Sequence, residues 1–258
     1  MKKYLSILML CVLLAFSAAC SQQLKTGEPP ASTEASSPEM SEPTPVKTPE
    51  PAVVFTDLVL EELVRSAMNK PEGDITLTEA AAVTELNLEM DGGAPLARVA
   101  DVSDLTQFPN LTMLNMNWAI NKGDEVVDLS PLASLKKLEC LYICCCGNTS
   151  DISPLAGLTS MKDLWIWGNN ITDISALEGM TQMESLWIKT NQITDINALS
   201  KMENLTYLYM EDNQVADLSP LAGLSKLTHI LLSGNPATDY SPLKDVYSNL
   251  VEKDFEIN

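Results

Sequence analysis

The chain has 258 residues, 45% hydrophobic and 20% charged, a balance that fits one or two folded domains and excludes disorder over its whole length. Its 16 Lys and Arg face 35 Asp and Glu, a formal charge of −19 that becomes −21 if a leader with Lys2 and Lys3 is removed. Phosphate binding needs clustered cations, so nucleic acid and anionic lipid are excluded as partners; a single histidine excludes a His-rich metal site.

Lys2 and Lys3 precede an apolar run from Leu5 to Phe16 that only Ser6 interrupts, and Ser17, Ala18 and Ala19 then lead into Cys20. A positive start, a short apolar stretch and a small-residue cut site make residues 1–19 a secretory signal, too short for a spanning helix. A cysteine directly after small residues resembles the lipobox of bacterial lipoproteins. That resemblance implies lipidation of Cys20 and membrane contact through this lipid alone. Ser17 departs from the leucine usual there, and Ser17-Ala18-Ala19 also fits plain secretion. Residues 20–53 read as the lipidated cysteine and a disordered tether. Ser21 to Val53 holds seven prolines among Ser, Thr, Glu and Ala, too little apolar surface to offset ordering entropy. Fully extended, it would reach about 100 Å.

Residues 83–258 are one repeat. Rows of 22 residues start at Met161, Met183 and Leu205, with looser rows over 83–110, 111–137, 138–160 and 227–249 and a strand-like stub from Leu250 to Ile257. Apolar residues recur at row positions 1, 4, 6, 11, 14, 17 and 20, the pattern of stacked coils sharing one core. Alternation around positions 4 and 6 predicts a half-buried strand. The asparagine at position 9 (Asn169, Asn191, Asn213, Asn235) should turn inward and bond the backbone of adjacent coils. Ser130-Pro131, Ser153-Pro154, Ser175-Ala176, Asn197-Ala198, Ser219-Pro220 and Ser241-Pro242 should each start a short helical turn, capped by the hydroxyl or amide.

These rows are similar to leucine-rich repeats of the internalin-like bacterial class. The segment from Asp57 to Leu63 and on through Asn69 to Ile75 resembles the helical N-terminal cap of such proteins. The resemblance, over about 54–258, implies an α/β repeat solenoid. A helical N-terminal cap over 54–82 precedes a right-handed leucine-rich repeat array over 83–258, about seven repeats and a stub. The array has a parallel concave sheet and short 3-10 or helical turns on the convex side. Two early rows lack the position-9 asparagine, and Cys146 takes its place in the row 138–160.

Positions 3, 5 and 7 of each row should point into solvent on the concave side. Position 5 runs Asn87, Asn115, Tyr142, Trp165, Trp187, Tyr209, Leu231; position 7 adds Asn117, Cys144, Trp167, Lys189 and Glu211, and position 3 adds Asp163, Tyr207 and His229. Three of the four tryptophans fall here in a chain only 5% aromatic. At a strand spacing of about 4.8 Å, Tyr142, Trp165, Trp187 and Tyr209 make one stripe, either a contact surface or cross-strand pairs that stabilise the sheet. The candidate ligand-binding residues are Tyr142, Trp165, Trp167, Trp187, Tyr207 and Tyr209. Two rows exceed 22 residues, by six and five, adding the loops Glu89–Ala100 and Trp118–Val126 beside the stripe.

Cys140 and Cys144 lie about 13 Å apart along an extended strand, too far for one metal ion or a disulfide, and Cys145 should point opposite to its neighbours. Cys140, Cys144, Cys145 and Cys146 therefore read as structural. The column Asp101, Asp128, Asp151, Asp173, Asp195, Asp217, Asp239 fits turn hydrogen bonding better than calcium, which prefers about six to eight converging oxygens. His229 stands four rows from Cys140, about 19 Å. No Gly-rich phosphate loop, G-x-S-x-G or H-E-x-x-H occurs. The expectation is a noncatalytic module without metal or cofactor, a monomer lipid-anchored at the extracellular face of a bacterial envelope. It would recognise a protein or glycan through the concave aromatic face. The alternative is an architectural spacer with no specific ligand.

Overall fold

The computed structural model describes residues 50–90, 98–120, 126–146 and 149–257. The expected signal, Cys20, most of the tether and the middles of both long loops lie outside them. Asp57 opens α1 (Leu58–Ala67), its carboxylate accepting the Val59 and Leu60 N–H groups at 2.9 Å, and Leu60 and Val64, one turn apart, are buried. Thr76 opens α2 (Leu77–Ala82) in a reciprocal capping box with Glu79. The other Asp57 oxygen accepts the N–H groups of Ala100 and Asp101 at 2.8 and 3.1 Å, and buried Asp104 accepts that of Thr56 at 2.6 Å. Two carboxylates thus fasten the helices to the first row.

Eight short strands follow: β1 (Glu85–Asn87), β2 (Met113–Asn115), β3 (Cys140–Tyr142), β4 (Asp163–Trp165), β5 (Ser185–Trp187), β6 (Tyr207–Tyr209), β7 (His229–Leu231) and β8 (Glu252–Lys253). They form one sheet in chain order, each parallel to the next. Equal row positions face each other, so Leu141, Leu164, Leu186 and Leu208 lie in line beneath it. The chain returns through 3-10 turns such as Ser153–Gly157, Ser175–Leu177 and Asn197–Lys201. In the row from Met161 every expected core position is buried: Met161, Leu164, Ile166, Ile171, Ile174, Leu177 and Met180, none above 2% exposure. These are the stacked coils the period implied and the leucine-rich repeat solenoid the resemblance implied.

Of the position-9 asparagines, Asn169, Asn191 and Asn213 are buried and Asn235 is half-buried, and each binds two rows. Asn191 Nδ2 donates to the carbonyls of Ile166 and Ile188 at 3.0 and 2.9 Å, while its Oδ1 accepts the Ile171 N–H at 3.1 Å. Cys146 imitates the donor half: its thiol reaches the Met116 and Cys144 carbonyls at 3.4 Å. Just before this position the backbone is left-handed in every row from β2 to β7, at Trp118, Cys145, Gly168, Thr190, Asp212 and Gly234, with φ between 53° and 78°. No shared residue type marks that column.

The capping of the turns corrects an expectation. Each Ser or Asn is the first residue of its turn, and no side-chain cap bond comes from the residue at the turn's own cap position. The aspartate two residues earlier does the work. Asp128, Asp151, Asp173, Asp195, Asp217 and Asp239 each accept that residue's N–H at 2.8 Å. The carboxylate wins because it stands outside the turn and reaches forward to an N–H with no helical partner. Hydrogen bonding holds the carboxyl below its ordinary value at Asp128, Asp151 and Asp239, chiefly through the serine hydroxyl, and at Asp173 and Asp217, chiefly through the backbone N–H.

Candidate functional site

Tyr142, Trp165, Trp187 and Tyr209 end β3 to β6 in register, and their ring centroids stand 4.7, 4.5 and 4.3 Å apart. They do not stand free in solvent as the sequence suggested. Each is half-buried, because its neighbours in the column cover its ring. The polar tips are held too. Asp163 on β4 accepts the Tyr142 hydroxyl and the Trp165 Nε1–H, both at 2.8 Å. Ser185 on β5 accepts the Trp187 Nε1–H at 3.2 Å, and Glu252 on β8 accepts the Tyr209 hydroxyl at 2.7 Å. Burial pushes the Asp163 carboxyl up in spite of its donors. Burial first, then the nearby carboxylates, also pushes up both tyrosine hydroxyls, which therefore stay neutral donors.

A second column lies at position 7. Lys189 Nζ sits 5.2 Å from the Trp167 centroid and 5.6 Å from that of Trp187, bridging the two columns by cation–π contact. Glu211 follows, its carboxyl pushed up by burial. Nearer the cap, this column departs from expectation: Asn117 and Cys144 are buried, not solvent-facing. The Asn117 side chain turns in to accept the Cys144 N–H at 2.8 Å. At position 3, Tyr207 stacks on His229 with centroids 4.5 Å apart and is the most exposed of the six candidate rings, at 40%.

Cys140 and Cys145 are half-buried, Cys144 and Cys146 buried, and all four are free thiols. Strand alternation does not govern Cys145, since β3 has ended and its φ is +53°. Burial pushes the Cys146 thiol up to about 11 and raises the other three as well, so thiolate chemistry is suppressed near neutral pH. Among the described residues no group of three His, Cys, Asp or Glu could hold a metal ion. Of the long loops, the flanks are described: Val99 pairs with Ile120, and the Arg98 guanidinium donates to the Trp118 carbonyl. The anchoring roles of Asp163, Ser185 and Glu252 were missed from sequence. For Asp163 and Ser185 the available signal was a polar residue two places before an aromatic on one strand face; Glu252, 43 residues from Tyr209, carries no such signal.

A family model described as leucine-rich repeats (2 copies) matches residues 159–201 and 203–245. An internalin (inlF) of Listeria monocytogenes has a similar solved structure, with 31% identity and a TM-score of 0.70 over 81% of this chain and 59% of that one. A second internalin of that organism (inlC2) is 28% identical with a TM-score of 0.63, over 81% of this chain and 98% of its own. A leucine-rich repeat protein of Leptospira interrogans, 16% identical with a TM-score of 0.52 over 70% and 51% of the two chains, shares the fold. This chain thus spans 59% of the inlF chain and nearly all of the inlC2 chain. No curated protein matches the sequence. The repeats and the two Listeria structures show leucine-rich repeats in a solenoid similar to that of the internalins.

Proposed function

We propose that the outward, concave face of the sheet binds a protein partner at a bacterial cell surface, without catalysis, metal or cofactor. The contact residues in this reading are Tyr142, Trp165, Trp167, Trp187, Tyr207 and Tyr209. One observation carries it: these rings gather on one face of a sheet, and the polar tips of Tyr142, Trp165, Trp187 and Tyr209 are already tied. Side chains fixed beforehand lose little entropy on binding, and Trp and Tyr are the commonest interface anchors. A protein suits the face better than a glycan. Sugars stack on open ring faces, but Trp165 and Trp187 press theirs together at 4.5 Å and offer edges. Ring edges carry partial positive charge and suit carbonyl oxygens.

The same reading holds the domain outside the cell by a lipid on Cys20 and the tether over 20–53. Radioactive palmitate should label the wild-type chain and not Cys20→Ser; equal labelling would remove the anchor. The mutual stacking also favours a second reading, in which the rings only stiffen an architectural spacer. Protein and glycan arrays probed with the chain separate them, provided folding is checked by circular dichroism. A protein partner lost with Trp187→Ala and kept with Glu178→Ala, on the turn side, supports recognition. If every interaction survives Trp187→Ala, the spacer stands.

A further inference from the structure

The position-3 column beside the stacked rings runs Asp163, Ser185, Tyr207, His229 on successive strands in register. Tyr207 has a ring against it on one side, His229. On the other side its register partner is Ser185, whose two-atom side chain is too short to cover an aromatic face. Beyond Ser185 comes Asp163, two strand spacings from Tyr207, or about 9.6 Å at the backbone. The Asp163 carboxylate is held in place by the Tyr142 hydroxyl and the Trp165 indole N–H, and Ser185 by the Trp187 N–H. The gap is therefore lined by an aromatic ring with only a short side chain beside it, a carboxylate two strands away, and Ser185 between them, whose side chain meets both the Trp187 indole N–H and the Asp163 carboxylate.

Building on the binding role proposed above, we propose that this gap over Ser185 receives a cationic side chain of the partner protein, with a guanidinium lying against Tyr207 and reaching Asp163. A planar cation satisfies both walls, stacking on a ring face while its N–H groups meet carboxylate oxygens. The electrostatics of the whole domain point the same way. Residues 50–258 carry 31 acidic and 12 basic side chains, which is the entire formal charge of −19. Such a field draws a basic surface toward the face and speeds its association. An anionic or neutral group would leave Asp163 facing no counter-charge.

The test uses the full chain and an acetylated, amidated hexa-arginine peptide, with hexa-glutamate as control, in calorimetry at about physiological salt. Wild type should bind hexa-arginine and not hexa-glutamate. Ser185→Phe, which fills it without changing charge, should weaken binding about tenfold. Tyr207→Leu should match that loss, and it reads the same gap if Ser185→Phe melts below the working temperature. Glu178→Gln on the turn side should change nothing. Wild-type affinity in a folded Ser185→Phe or Tyr207→Leu would overturn the gap, as would an equal loss in Glu178→Gln, which would mean undirected charge attraction. The parent reading fails separately. An array protein that needs Trp187 while hexa-arginine ignores Ser185→Phe removes the gap alone. The absence of any Trp187-dependent partner removes the face as a whole.

Discussion

One amide per row fixes the bend after each strand, and its worth can be measured at Asn191. Removing it leaves the Ile171 N–H without its side-chain partner in a dry interior and takes one of two amide donors from each of the Ile166 and Ile188 carbonyls, which Asn169 and Asn213 also reach. Asn191→Ala should cost about 1–3 kcal/mol in urea melts, whereas the neighbouring exposed Gln192→Ala should stay within about 0.5 kcal/mol. Equal midpoints would mean the amide does not hold the rows. Position 8 offers the opposite experiment. Thr190 is β-branched yet sits at φ +54°, while Gly168 and Gly234 fill the same place at φ +69° and +78°. Relief of left-handed strain, about 1–2 kcal/mol, exceeds the entropy a glycine adds to the unfolded chain. Thr190→Gly should therefore raise the urea midpoint, by about 0.5–1 kcal/mol of stability; a lower midpoint would show the strain is absorbed elsewhere. This column was illegible in the sequence because Trp, Cys, Gly, Thr, Asp and Gly share no chemistry. What unites them is a backbone angle.

The turns make the molecule sensitive to acid in a definite direction. Asp128, Asp151, Asp173, Asp217 and Asp239 lie below the ordinary value of 3.8 when folded, so the unfolded chain takes up protons first as pH falls. Their stabilisation is whole above the unfolded value and fades as acid passes the lowered one. Asp163 and Glu211 have the reverse sign: raised when folded, they weigh against the fold once ionised and are relieved as pH drops. The five outnumber the two, so stability should fall below about pH 4. Asp217→Asn isolates one turn, since its amide oxygen still accepts the Ser219 N–H but cannot titrate. Its deficit against wild type should be largest near about pH 7 and close by about pH 2.5, read from urea midpoints. A deficit that stays constant with pH would mean the charge contributes nothing.

At the scale of the whole solenoid, the fold was legible because a 22-residue period writes each buried column as a repeated letter. The aromatic face was legible for a related reason, since strand period two puts positions 3, 5 and 7 on one side. Its limits were not. Whether Asn117 faces out depends on which backbone group its amide meets, and which side chain ties Tyr209 depends on β8, 43 residues along. Stacking across rows makes the face a linear array whose energetics should depend on place. Trp165 and Trp187 each touch two rings, Tyr142 and Tyr209 one, and each of the four also holds one hydrogen bond through its tip. With that bond common to all, the differences are the number of ring contacts, each worth about 0.5–1.5 kcal/mol, and the Lys189 cation–π contact at Trp187. Alanine at Trp165 or Trp187 should therefore cost more than alanine at Tyr142 or Tyr209, by roughly one stack. All four variants should remain folded, because the leucines beneath the sheet are untouched. At temperatures where they are folded, loss of a central ring should cost a partner about 2 kcal/mol, near thirtyfold in affinity. Four equal losses of stability would show that the rings act singly, and a central loss that spares binding would leave the column as reinforcement of the sheet.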